Sequence, residues 1–373
     1  MSTTILKPEF RRPIIAVNVS PKLFNRLKNQ EDKRYHRIKK LLRVNQTARS
    51  TLYFFCYQNV DFENSKISGV CFNENTKSWE IKDFPFPDVL YDRVRGKRKY
   101  QIELNSMRGK FDQMGIKKIN SLHSFDKWDL YQVLEKNDLF RPHLPLTRLL
   151  ESTDDLKIML DKDEKIYLKA RKGSRGMQVM SVTKAPKGKY EYRFYSKSVV
   201  VGRVNDLYGL FRVIHSFFKG KNVIVQQAID LLKIDSCVID MRGELQRNGR
   251  GELEITAVPV RIGKKDAPIA TRGTSYPFEV FFKDFLHFSE DEIKALKSKV
   301  DSFLIEVYKY IEQSYGPFGE IGIDIGFDKR GHIWFIECNA KSAKVSLCNT
   351  SDRGTIEKAF LNPLEYAKFI SSC

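Results

Sequence analysis

The stretch 318–342, FGEIGIDIGFDKRGHIWFIECNAKS, constrains the chain more than any other. Residues 319–327 and 332–339 read as two strands rich in Ile, Phe and Trp, joined by the polar turn Asp328-Lys329-Arg330-Gly331. Side chains alternate along a strand, so Glu337 and Asn339 share one face while Trp334, Ile336 and Cys338 take the other. With Phe327 opposite His332, Asp324 falls opposite Phe335 and joins the face of Glu337 and Asn339. Two carboxylates and an amide oxygen then converge. A few hard oxygen ligands of this kind suit Mg²⁺ shared with substrate phosphates. The alternative is two acids on the wet face of an ordinary hairpin.

A second segment, IYLKARKGSRGMQVMSV at 166–182, supplies the opposite charge. A short apolar strand ends on Lys169, and a loop with Gly173, Ser174 and Gly176 leads into the next strand. Small residues let backbone N–H groups approach phosphate oxygens, and Ser174 adds a hydroxyl. Arg171, Lys172 and Arg175 raise the local positive potential. No GKS or GKT follows, and a strand rather than a helix comes next, which excludes a Walker A loop. An unspecialised glycine hairpin is the competing reading.

Composition narrows the setting. A chain of 373 residues can bury a large core and divide into two or three domains. No apolar run approaches the ~20 residues of a membrane span. MSTTILKPEFRRP lacks an apolar signal core, so no secretion is expected. Six cysteines without CxxC spacing read as reduced thiols of a cytoplasmic protein. Net charge is +19, and residues 1–125 hold 25 Lys/Arg against 12 Asp/Glu. The densest part, 22–49, reads as helical, with Leu23, Leu27, Ile38, Leu41 and Leu42 as apolar anchors. Such a face could meet nucleic acid, an anionic polymer or an acidic protein. No helix-turn-helix, zinc-finger or RNP-like pattern accompanies it, which favours a solvated basic helix over nucleic-acid binding.

Along the chain, 11–120 alternates short strands (14–19, 52–57, 89–91) with helical stretches, giving an α/β N-terminal domain over 1–125. Strands recur at 222–228, 236–247 and 252–262. Helices are expected at 127–136, 205–219, 289–314 and 354–370. Strands and helices in irregular order argue for α+β over 126–373, with 160–225 as a subdomain carrying the glycine loop. Asp240 and Arg242 share a strand face in CVIDMRGELQR, either as a salt bridge at the edge of the core or as an arginine offered to an anion.

Together these segments resemble the ATP-grasp superfamily, in which two α+β subdomains clasp ATP. The resemblance implies phosphate contacts from Lys127 in SFDKWDLYQVLEKN, from Lys169, and from the loop Gly173-Ser174-Arg175-Gly176. It implies Mg²⁺ on Asp324, Glu337 and Asn339. In NVIVQQAIDLLK it implies Gln226 or Gln227 facing the adenine amino group, the backbone at Ala228–Ile229 on the ring edge, and Asp230 on the ribose. Asp240-x-Arg242 looks like the D-x-R strand of ATP-grasp amide ligases, with Arg261 as a second arginine and Arg272 as a weaker candidate. Segments PDVLYDR, LPLT, QQAIDL, DMR and FGEIGIDIG/IECN are similar to the YheC/YheD-type endospore coat-associated proteins over roughly 85–345. Two departures stand out. Ala170 replaces a usual proline, and Asn339-Ala340-Lys341-Ser342-Ala343 replaces the family's Asn-x-x-Pro-Gly loop, which is expected to line the acceptor site.

The implied activity is an ADP-forming ligase joining a carboxylate and an amine through an acyl phosphate. A phosphotransferase on the same fold, or a nucleotide-binding coat protein without turnover, are the alternatives. A polyanionic acceptor on the basic N-terminal region is a further expectation, from charge alone.

Overall fold

The computed structural model describes residues 12–30, 36–94, 100–173, 178–196, 198–267, 270 and 273–372. Three sheets follow one another along the chain. The first is built on Ile14–Asn18, fully buried and parallel to both Thr51–Phe55 and Val89–Asp92. An antiparallel hairpin, Lys66–Asn73 with Ser78–Pro85, extends it. Helices Pro21–Lys28 and His36–Ala48 cross over between the first two strands, and Leu27, Ile38 and Leu41 point into the core as the apolar spacing requires. The basic stretch therefore forms two helices among the described residues.

The second sheet is antiparallel, in the order Val199–Val204, Lys189–Tyr195, Val179–Ala185, Lys165–Ala170, Val223–Gln227, Thr147–Leu149. Helices Thr153–Lys162 and Leu207–Phe218 cover one face, burying Leu156, Leu160, Leu210 and Ile214 against Leu168 and Val182. The third sheet runs Thr274–Tyr276, Val260–Ile262, Cys237–Arg247, Glu320–Phe327, Ile333–Asn339. The strand expected over 252–262 is split into Leu253–Ala257 and Val260–Ile262. Pro259, at the break, has no N–H to continue a ladder.

Helix Glu290–Tyr315 packs beneath this sheet through Val300, Leu304, Val307 and Ile311. Each such fully buried side chain contributes roughly 1.5–3 kcal/mol. Gly243 permits the close approach, since a Cβ there would lie 2.7 Å from Leu304 Cδ1. The last helix, Arg353–Ser372, returns to the first sheet. Its Phe360, Leu364 and Ala367 complete the core formed by Val17, Leu41 and Tyr91. The N-terminal core thus draws on both ends of the chain, and a cut at 125/126 would leave it open.

Candidate active site

The second and third sheets enclose a cleft of about 240 Å³, lined by Tyr167, Lys169, Val179, residues 226–231, Asp324 and Glu337, among others. The strand Val223–Gln227 runs out of the second sheet here, so residues 228–231 cross the cleft mouth as irregular backbone.

On the second-sheet side the cationic groups are lightly held. Lys127 opens helix Lys127–Glu135, whose N-cap Asp126 accepts from Trp128 N at 3.0 Å. Arg171 donates to Asp126 at 3.0 Å and to Asp129 at 3.1 Å, tying the glycine loop's first strand to that helix start. Lys127 Nζ reaches Gly173 O at 3.2 Å and Glu337 Oε2 at 3.8 Å. Lys169 Nζ donates to Gln226 Oε1 at 2.6 Å. Burial pushes the Lys169 ammonium down to about 8, partly offset by the charge of Glu337.

The acidic hairpin forms, but its register differs from the simple expectation. Phe327 pairs with Ile333 rather than His332, and a bulge between Asp324 and Ile325 in the pairing puts Asp324 opposite Glu337, not Phe335. One extra residue on the second strand is accommodated this way. As a result Ile333, Phe335 and Cys338 enter the main core, while Ile336 turns to the cleft beside Glu337. Alternation alone had put Ile336 with Cys338. Asn339 Nδ2 donates to Glu337 Oε1 at 3.0 Å, so the expected carboxylate and amide do share a face. Among the described residues no group of three His, Cys, Asp or Glu side chains is gathered for a metal; the candidate set is two carboxylates and one amide oxygen.

On the third-sheet side the charges are locked together. Asp240 lies opposite Arg261, and Arg242 opposite Asp324. Arg261 donates to both Asp240 oxygens at 2.5 and 2.7 Å and reaches Asp324 Oδ1 at 3.1 Å. Arg242 donates to both Asp324 oxygens, from Nη2 at 2.8 Å. Neither residue pairs with the other as the salt-bridge alternative had it; two cross-strand pairs form instead. Burial acts to raise the Asp324 carboxyl, and the guanidiniums of Arg242 and Arg261 overcome it, holding it below the ordinary carboxylate range. Gly322 leaves room for Arg242, since a Cβ there would stand 3.1 Å from the arginine's Cδ and Nη1.

A further buried network, which the motifs did not flag, anchors this floor to the first sheet. Glu320 accepts from Tyr91 Oη at 2.8 Å and from Arg93 and Lys344. Ser342 Oγ donates to Glu244 at 2.6 Å, and Arg93 donates to Ser342 O at 2.6 Å. Period two could have found it: Asp240, Arg242, Glu244 and Gln246 alternate with Ile239, Met241 and Leu245, and Glu320 leads Asp324 by four.

Of the other expected residues, Ala228, Ile229 and Asp230 line the cleft. Asp230 is held by Lys233 at 3.1 Å and Lys329 at 2.7 Å. Both glutamines line the cleft with their side-chain oxygens already engaged. Gln226 accepts from Lys169 and donates to Thr147 Oγ1 at 2.8 Å, and Gln227 Oε1 accepts from Leu146 N at 3.2 Å. Gly173 is placed at the loop start, whereas Ser174, Arg175, Gly176 and Arg272 lie outside the described residues.

Comparison with known proteins follows the same lines. Residues 115–370 match the family described as YheC/D like ATP-grasp. The chain is 23% identical to endospore coat-associated protein YheD of Bacillus subtilis over 339 residues, 89% of this chain and 73% of that protein. It is 21% identical to YheC of the same organism, over 82% of this chain and 84% of that one. Among solved structures, D-cycloserine synthetase DcsG superposes with a TM-score of 0.55 at 12% identity, over 94% of this chain and 99% of that one. D-alanyl-alanine synthetase A from Vibrio cholerae gives 0.51 at 13% identity, over 95% and 98%. These likenesses show the ATP-grasp fold. Among the described residues no helix is long and apolar enough to cross a membrane.

Proposed function

Because the chain belongs to the YheC/D-like ATP-grasp family, we propose that it is an ATP- and Mg²⁺-dependent carboxylate–amine ligase that works through an acyl phosphate and releases ADP. The observation that carries this reading is the meeting, in one cleft, of Lys169 with Glu337 and with Asp240 and Asp324, the acids of the buried Arg261 and Arg242 pairs, while Lys127 stands 3.8 Å from Glu337.

Lys127 and Lys169 would hold the phosphate chain, with the backbone after Gly173 folded over it. The backbone at 228–229 would take the adenine edge and Asp230 the ribose. The donor set fits Mg²⁺: Glu337 is part-exposed, with Lys127 3.8 Å away and Asn339 donating to it, and Asp324 and the Asn339 oxygen are hard ligands. Bound there, Mg²⁺ would neutralise charge on the β- and γ-phosphate oxygens. A substrate carboxylate oxygen attacks the γ-phosphorus and the bond to the β-phosphate oxygen breaks, freeing ADP. The amine then attacks the acyl carbon, inorganic phosphate leaves, and the amine gives up a proton. Arg242 and Arg261 would steady both anions, since a guanidinium that loosens its hold on Asp324 can take a phosphate oxygen in exchange.

ATP turnover with pooled carboxylic acids and hydroxylamine as surrogate amine tests the proposal. ADP together with a hydroxamate is the expected product pair. ADP with a stable phosphorylated product and no hydroxamate would replace the ligase by a phosphotransferase. The names of the two Bacillus relatives make a spore-forming cell the first setting in which to look.

A further inference from the structure

Lys169 reaches the cleft from the second sheet, and a chain of hydrogen bonds behind it decides where its ammonium points. Ile224 lies opposite Lys169 in the pairing, which places Gln226 diagonally across, within reach of a long side chain. Lys169 Nζ donates to Gln226 Oε1 at 2.6 Å, Gln226 Nε2 to Thr147 Oγ1 at 2.8 Å, and Thr147 Oγ1 to Pro145 O at 2.8 Å. Thr147 stands directly opposite Gln226 on the next strand, and both are buried. The last link fixes the direction of the whole chain. The hydroxyl gives its proton to Pro145 O, so it accepts from Gln226, and the amide oxygen is left to face the lysine. A reversed amide would set N–H groups against the ammonium.

A neutral acceptor suits this place. Lysine carries a point charge with three donors on a flexible stem. Gln226 takes one donor and leaves two for incoming oxygens, without cancelling the charge as a carboxylate would. The charges that face Lys169 are Glu337 and Asp324 from the acidic hairpin and Lys127 from the start of helix Lys127–Glu135. A stem released from Gln226 would be drawn toward those carboxylates. The far end of the chain lies where the backbone crosses between the two sheets. Leu144 belongs to the core of the third sheet, and Leu146 packs on that of the second. Leu146 and Gln227 clasp the two crossings together: Gln227 N donates to Leu146 O at 2.8 Å, and Leu146 N to Gln227 Oε1 at 3.2 Å. Lys169 is thus aimed from that junction.

We infer that Gln226, braced by Thr147, is a positioning residue that holds the Lys169 ammonium toward the cleft, rather than a reader of the adenine amino group. The relay stands on its own contacts; its use on a phosphate chain rests on the ligase proposal. The test reads Lys169 in the ligand-free full chain by competitive acetylation with acetic anhydride from pH 6 to 11, followed by peptide mass spectrometry. Gln226→Glu should move the lysine's titration midpoint up by about 1 pH unit or more, because an anion replaces the amide. Gln226→Met and Thr147→Val, close in volume to the originals, should each move it down, because the ammonium loses its oriented acceptor. Equilibrium titration of Mg·ATP at pH 6, where the lysine is charged in every variant, should show about tenfold or more weaker binding in Gln226→Met. An unmoved midpoint in folded Gln226→Met or Thr147→Val would overturn the inference. So would ATP binding weakened with the midpoint unmoved, the mark of a base contact, or, where ATP binds, wild-type affinity in Gln226→Met. Midpoints that move as stated in a protein that binds no Mg·ATP would support the relay and remove the ligase proposal. ATP binding with unmoved midpoints would remove the relay and leave the ligase proposal standing.

Discussion

The two walls of the cleft hold their charges in opposite ways. On the third sheet, Asp240, Arg242, Arg261 and Asp324 are all buried to 14% side-chain exposure or less, and each carboxylate is met by a guanidinium on both oxygens. Across the cleft, Lys127 at the start of helix Lys127–Glu135 touches one carbonyl and stands 3.8 Å from Glu337, and Lys169 on the second sheet has a neutral amide as its partner. A paired buried charge is costly to break, whereas a charge held by neutral groups is free to meet an incoming phosphate. One wall therefore carries stability and function together, and the other carries function with little stability attached.

Variants that separate the two properties would sharpen or break this contrast. The largest effect is expected at Asp324. Asp324→Ala leaves Arg242 a buried charge without its carboxylate and takes one of two from Arg261, so urea unfolding should show a loss of about 3–5 kcal/mol. Glu337→Gln, on a part-exposed carboxylate, should cost under about 1 kcal/mol in the same measurement. Equal losses would erase the distinction between the walls. Next, Lys169→Met should lower turnover by about 10²–10³, the usual cost of one preorganised charge partner. Its unfolding midpoint should hold or rise, because a buried ammonium is removed.

The pH dependence follows from the same lysine. Its ammonium is held down to about 8 by burial, against about 10.4 in an unfolded chain. Between these values the unfolded chain binds the extra proton, so the stability of the ligand-free protein should rise with pH across that window and fall again as pH drops to 8. ATP affinity should run the other way, weakening above pH 8 as the charge is lost. Lys169→Met should flatten both profiles, which thermal melts and nucleotide titrations from pH 7 to 10 would reveal. A smaller effect is expected at Gly322. Gly322→Ala crowds Arg242, and overpacking of this kind costs typically 1–3 kcal/mol. The smallest is Arg171→Ala, whose part-exposed pairs with Asp126 and Asp129 should be worth under about 1 kcal/mol.

Much of this was legible in the chain. Alternation placed Glu337 and Asn339 together, and the turn Asp328–Gly331 fixed the hairpin, because both signals are local. The bulge that sets Asp324 against Glu337 was not, since an added residue in one strand leaves no mark on a single sequence. Strand pairing is equally silent: Asp240 and Arg242, two apart, suggested each other, yet each found its partner on a neighbouring strand. Gln226 and Gln227 were placed at the right strand end, but their side-chain partners Lys169, Thr147 and Leu146 come from other strands and loops. The return of Arg353–Ser372 to the first sheet depends on packing over more than 200 residues of separation, where apolar spacing names a buried face without naming what covers it.

In the proposed ligase the part-exposed acid and the buried arginine floor form one Mg·ATP site. It is tested most directly by equilibrium titration of ATP, with and without Mg²⁺, on the wild type and on Glu337→Gln. Mg²⁺ should tighten ATP binding about tenfold or more in the wild type and have little effect in the variant. Binding of ATP that ignores Mg²⁺ in both proteins, or no binding in the wild type, would contradict it.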